Sequence, residues 1–233
     1  MHINCVWEHN GDDTLLYAVD LIGAYARGNN LDLAVSKMES EVCSYLEWLG
    51  KDLPAHCSVK LVQEKTSDLA ICDADSDVIF DAERYPLTQE EYERQKALAL
   101  KSACDFLTLY ESIPDKNRSH LAARQTFYGQ IPRTAEEMYL HTKNVNAYYF
   151  GEIGVNADNE GDILSCRVRG FEVLESKSDF LANSVVEGSY GEFWSLRKLF
   201  RRFVWHDRIH AKAMWRMAAA TFGAGYAQNP FCF

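Results

Sequence analysis

The sequence predicts an α+β fold: a small N-terminal β-β-α-β domain followed by an all-α four-helix bundle. Two observations carry this reading. Hydrophobic residues alternate in short stretches up to about residue 65 and then recur at helical spacing from about residue 88 onward. Charge is uneven as well. Residues 1–75 hold 5 Lys+Arg against 13 Asp+Glu, a net of −8, and the remainder holds 19 against 21, a net of −2, together the −10 of the whole chain. The expected division is therefore 1–75 and 76–233, each part long enough to bury a core.

Residues 2–9 (HINCVWEH), the turn Asn10-Gly11-Asp12-Asp13 and the stretch TLLYAVD read as two strands joined by a turn. LIGAYARG is a third extended piece, broken at Gly28-Asn29-Asn30. Next, Leu31, Ala34, Val35, Met38, Val42, Tyr45, Leu46 and Leu49 fall at helical spacing, with Asn30 as cap and Gly50 as stop. CSVKLVQEK alternates and reads as a closing strand, so one helix covers one face of a small antiparallel sheet. Residues 66–87 are acidic and irregular and read as a connection with room for one more edge strand.

Thr88 and Glu91 make a capping box for a helix that runs to Ser112, before Pro114. Residues 120–131 read as a loop with helical scraps. Thr134 and Glu137 make a second capping box, for a helix to about residue 153 with Gly154 at its end. A third helix is predicted over 161–186, interrupted near 176–178. The longest is predicted over 196–222, where no Gly or Pro occurs and strong helix formers abound, with Ser195 as N-cap and Gly223 as stop. Its apolar residues Leu199, Phe203, Ile209, Ala213, Met214 and Met217 make one broad face, extended by Val204, Trp205 and Trp215. Such a helix packs against several others, and four helices joined by loops read as a bundle. The apolar excess is compatible with a homodimer.

A net charge of −10 argues against nucleic acid as a partner, because neutralising phosphates needs a basic face. The apolar runs are too short to span a bilayer, and MHINCVWEHNGDD has neither a basic nor an apolar leader region, so no membrane partner and a cytoplasmic location are expected. Seven scattered Cys without a C-x-x-C pair fit reduced thiols.

The chemistry-bearing residues are histidines. His206 and His210 are four apart on the longest predicted helix, so both imidazoles leave one side of it. His141 lies about two turns into the helix that opens at Thr134. Three neutral imidazoles from two helices can hold a divalent ion with a position left for water or substrate. The plainer alternative is that the pair arose by chance and that His141 is a satisfied core histidine. Glu137, one turn before His141, reads as a capping residue rather than a base, and Asp207 as the partner of a surface cation. Arg197, Arg201, Arg208 and Lys212 form a basic stripe that reads as a solvated or salt-bridged face. Tyr148 and Tyr149 read as core and rim, His56-Cys57 as structural, and His2, His9 and His120 carry no assigned role.

PRTAEEMYLHTKNVNAYYFGEIG, followed later by WSLRKLFRRFVWHDRIHAKAMWRM, resembles the DinB/YfiT-like superfamily over about residues 85–223. The matching residues are the run from Pro132 to Met138 with His141, then Trp194, Ser195, Arg197 and Lys198, then Trp205, His206, Asp207, Arg208 and His210. This resemblance implies a four-helix bundle in which His141, His206 and His210 bind a divalent metal ion, nickel or zinc. It also implies a metal-dependent enzyme acting on a small-molecule substrate. The activity would be that of a thiol transferase or a hydrolase, with a low-molecular-weight thiol as cosubstrate.

At the N-terminus, about residues 2–65, Asp20, Leu21, Gly23 and Gly28 with the following helix resemble the HicB-type antitoxin domain. Ile22 replaces the Pro of that family's turn, and no DNA-binding segment follows. The alternative to the enzyme is a non-catalytic regulatory or protein-interaction module whose acidic antitoxin-like domain docks a basic partner.

Overall fold

The computed structural model describes residues 1–73, 75–126 and 129–233. It is a mixed α+β fold with a small N-terminal sheet and, among the described residues, five α-helices. Four strands, β1 (His2–His9), β2 (Thr14–Ala18), β3 (Tyr25–Gly28) and β4 (Ser58–Thr66), form a sheet of order β3-β2-β1-β4. Between β3 and β4 runs α1 (Leu31–Trp48), capped by the Asn30 side chain, which accepts from Leu33 N at 2.9 Å. The remaining helices are α2 (Gln89–Ser112), α3 (Ala135–Glu152), α4 (Ile163–Glu175) and α5 (Leu196–Phe222). Among the described residues no helix is long and apolar enough to cross a membrane.

The sheet is mixed, not wholly antiparallel. β1 and β2, and β2 and β3, are antiparallel, but β4 runs parallel to β1, with His2 opposite Ser58 and His9 opposite Thr66. The helix between β3 and β4 acts as a crossover and returns the chain in the direction of β1, which a tight turn cannot do. The third extended piece is a true strand. Residues 67–87 hold two short 3-10 turns and no edge strand among those described.

By contacts, the chain divides into two compact units that interleave. The first is Met1–Leu87 with Leu181–Trp205 and Cys232, and the second is Thr88–Phe180 with His206–Phe231 and Phe233. The units are thus drawn differently from a simple cut at residue 75. Hydrogen bonds account for the return of Leu181–Trp205 to the first unit: Leu87 N donates to Leu181 O at 2.9 Å, Asn183 Nδ2 to Glu83 O at 2.8 Å, and Ser195 Oγ to Glu83 O at 2.9 Å.

In the first unit, Ala34, Met38, Val42 and Tyr45 of α1 are buried with Leu15 and Leu16 of β2 and Ala26 of β3. Residues 76–78 are bound by a buried carboxylate. Glu8 accepts from Ser76 Oγ at 2.5 Å, Asp77 N at 3.0 Å and Val78 N at 3.2 Å. Trp205 packs edge-on to Tyr17 and Tyr25.

In the second unit, capping boxes start α2 (Thr88 with Glu91) and α3 (Thr134 with Glu137), and Asp162 caps α4. α2, α3 and α4 pack on one another. Two expectations are corrected here. α4 ends at Glu175 rather than near residue 186. Among the described residues of 120–131 none is helical: Gln125–Thr126 pairs antiparallel with Gly129–Gln130, and residues 127 and 128 lie outside those described.

α5 matches its predicted span, and Ser195 caps it by accepting from Lys198 N at 3.2 Å. Every residue from Lys198 to Arg208 is buried, which the charged letters of this stretch did not suggest. Ala213, expected in the apolar face, is exposed.

Candidate metal centre

The long helix brings His206 and His210 together because four residues make just over one turn. His141 comes from α3, whose start is fixed by the Thr134–Glu137 capping box. Ring centroids are 5.1 Å apart for His141 and His206, 4.6 Å for His141 and His210, and 4.4 Å for His206 and His210. One ring nitrogen from each lies within 4.8 Å of the other two. A tetrahedral ion with nitrogens at 2.0–2.1 Å needs them about 3.3 Å apart, so small side-chain rotations close the set. The three residues predicted as ligands are therefore gathered in one place. All three belong to the second unit.

The environment is graded: His206 is buried, His210 half-buried and His141 exposed. Burial pushes the His210 imidazolium down to about 3, with repulsion from His141 adding to it. Burial of part of its ring lowers His141 from its ordinary value too. Both are thus neutral near pH 7, the form in which imidazole binds a metal.

Asp207 does pair with a cation, as expected, but not at the surface. Its carboxylate receives Arg167 Nη1 at 2.5 Å and Nη2 at 3.1 Å, and both side chains are at 0% exposure. Burial pushes the Asp207 carboxyl up, and Arg167 partly opposes this. Sequence reading missed Arg167, although a signal was there. Ile163, Arg167, Gly170, Phe171 and Leu174 form one helical stripe, and a charge within an apolar stripe calls for a buried partner.

The basic stripe is likewise turned inward. Arg201 grips Glu83 through Nε at 2.5 Å and Nη2 at 3.0 Å, and Arg197 Nε donates to Tyr85 O at 2.8 Å. Arg208 lies over the rings of Phe231 and Phe233, and Lys212 over Phe233.

Glu137 serves its cap: its carboxylate accepts from Arg133 N at 2.8 Å and Thr134 N at 3.1 Å, which hold it below the usual carboxylate range. The other histidines stand apart from the cluster. His2 bonds Ser58, His9 meets Glu64, His56 meets Glu39, and His120 bonds Thr221. The expected order of core and rim is reversed: Tyr149 is buried, and its ring stands 5.9 Å from that of His206, a neighbour that sequence reading did not assign. Tyr148, seven residues after His141 and so on the same helix face, is 39% exposed.

The arrangement offers three imidazole nitrogen donors with an open side at His141, which suits a borderline divalent ion. Set against known protein families, curated proteins and solved structures, the chain has no match in any of the three.

Proposed function

We propose that this protein is a metal-dependent enzyme of the DinB/YfiT-like type, in which α2–α5 form a four-helix bundle and His141, His206 and His210 hold one divalent ion, zinc or nickel. The convergence of three imidazole nitrogens within 4.8 Å of one another carries this reading. Imidazole donors suit zinc and nickel better than hard cations. When bound, such an ion lowers the pKa of a water or thiol toward neutrality and so supplies a nucleophile for transfer or hydrolysis on a small molecule.

The chain's own residues do the rest. His206 and His210 are set in register by one helical turn. The low pKa of His210 keeps its nitrogen from being taken by a proton. Arg167 and Asp207 fix the rotation of α5 beside His206, and the exposed edge of His141 leaves the substrate's approach open. The N-terminal sheet and α1 support a HicB-like reading of the first unit as a fold and assign it no chemistry.

The test is the metal content of untagged protein. About one equivalent of zinc or nickel per chain, lost in His210→Ala, supports the enzyme. Protein that takes up no metal leaves the protein-interaction reading in its place.

A further inference from the structure

The donor set of the cluster is wholly neutral. Three imidazoles add no charge, and among the described residues no carboxylate joins them. The carboxylate next to His206 in sequence, Asp207, is committed to Arg167. A divalent ion held in this way keeps its double charge and favours an anion over a neutral group as its further ligand.

The two directions along α3 from His141 differ. One turn before it stands Glu137, ionised and fixed by two backbone N–H groups. Its charge disfavours an anion lying that way. Seven residues after it stands Tyr148, about two turns along α3 and on the face of His141. The Tyr148 ring lies 5.6 Å from that of buried Tyr149, which lies 5.9 Å from His206, so a chain of rings joins exposed Tyr148 to the three histidines.

We infer that the site's ligand is an anion with an aromatic or apolar body, its charged head at the three-histidine metal and its body against Tyr148. This rests on the metal reading above. An apolar body gains by covering a half-exposed ring, and the ring–ring preference adds to that gain.

The experiment uses the full chain loaded with cobalt(II), whose visible spectrum reports its ligands. Acetate, 3-phenylpropionate and the neutral 3-phenylpropanol are titrated in turn. The expected result is that 3-phenylpropionate binds about tenfold more tightly than acetate and that the alcohol leaves the spectrum unchanged. Tyr148→Ser should bring the two acids within about threefold of each other, and Tyr148→Phe should keep the difference. Equal binding of the two acids, or a difference that survives Tyr148→Ser, overturns the aromatic half of the inference. A spectral response to the alcohol as strong as to the acid overturns the anionic half. Failure to bind cobalt at all defeats the metal reading itself and this inference with it.

Discussion

Arg167 and Asp207 form a two-pronged ion pair, at 2.5 Å and 3.1 Å, with both side chains at 0% exposure and His206 the next residue along α5. The same guanidinium donates to Ala99 O of α2 at 3.3 Å. Three helices therefore meet at one charge pair. Removing one partner strands a buried charge, so Arg167→Met should cost about 3–5 kcal/mol of stability in urea unfolding. The double variant Arg167→Met, Asp207→Leu removes both charges and should cost much less. Equal losses for the single and double variants would show that the two charges are not coupled.

Gly170 of α4 lies hard against Phe150 of α3. A methyl group at this position would meet the Phe150 ring at 2.1 Å, and Phe150 is fully buried against Phe171. Gly170→Ala should destabilise the protein by about 1–3 kcal/mol, and Phe150→Leu in the same chain should recover part of that loss. Thermal melting of wild type and the two variants measures both effects. A melting temperature unmoved by Gly170→Ala would contradict the close packing of the two helices.

Lys198 gives a pH dependence whose sign is fixed. Burial lowers its ammonium from the ordinary 10.5 to about 8, outweighing the pull of Glu192, and its Nζ donates to Asp77 O and Phe193 O. Between those two pH values the unfolded chain keeps the proton that the folded chain has released. Stability from this group therefore rises with pH across that window, by at most about 1.4 kcal/mol per unit. From pH 7.5 to pH 10, wild type should gain about 2 kcal/mol relative to Lys198→Met in urea unfolding. A difference that stays flat over this range would mean that the amine is not desolvated.

Glu137 separates a structural role from a chemical one. As a capping residue, its replacement by Ala should cost about 1 kcal/mol, Gln should restore most of that, and neither should change how much metal the protein holds. Loss of metal in Glu137→Gln would instead make it part of the centre.

Much of this was legible in the letters. Capping boxes at Thr88 and Thr134, the Asn30 cap and the Gly-free run after Ser195 placed helix starts, because a cap is a local hydrogen bond between residues three apart. The four-residue spacing of His206 and His210 gave two of the three donors, and the helix opened at Thr134 offered His141 as the third. What failed was non-local. Whether β4 lies parallel or antiparallel to β1 depends on the crossover, not on the strand's own alternation. Arg201, Asp207 and Arg208 look like surface charges until their partners Glu83, Arg167, Phe231 and Phe233 are known, and those lie far away in sequence. The return of Leu181–Trp205 to the first unit rests on hydrogen bonds to Glu83 and Leu87, which no local pattern announces.

The most direct test of the shared metal is X-ray absorption at the zinc edge on zinc-loaded protein. The account predicts three imidazole nitrogens at 2.0–2.1 Å with their outer-ring scattering, and two in His141→Ala, with one lighter ligand completing the shell. A spectrum with one imidazole or none, or one that His141→Ala leaves unchanged, would contradict the claim that α3 and α5 hold a single ion between them.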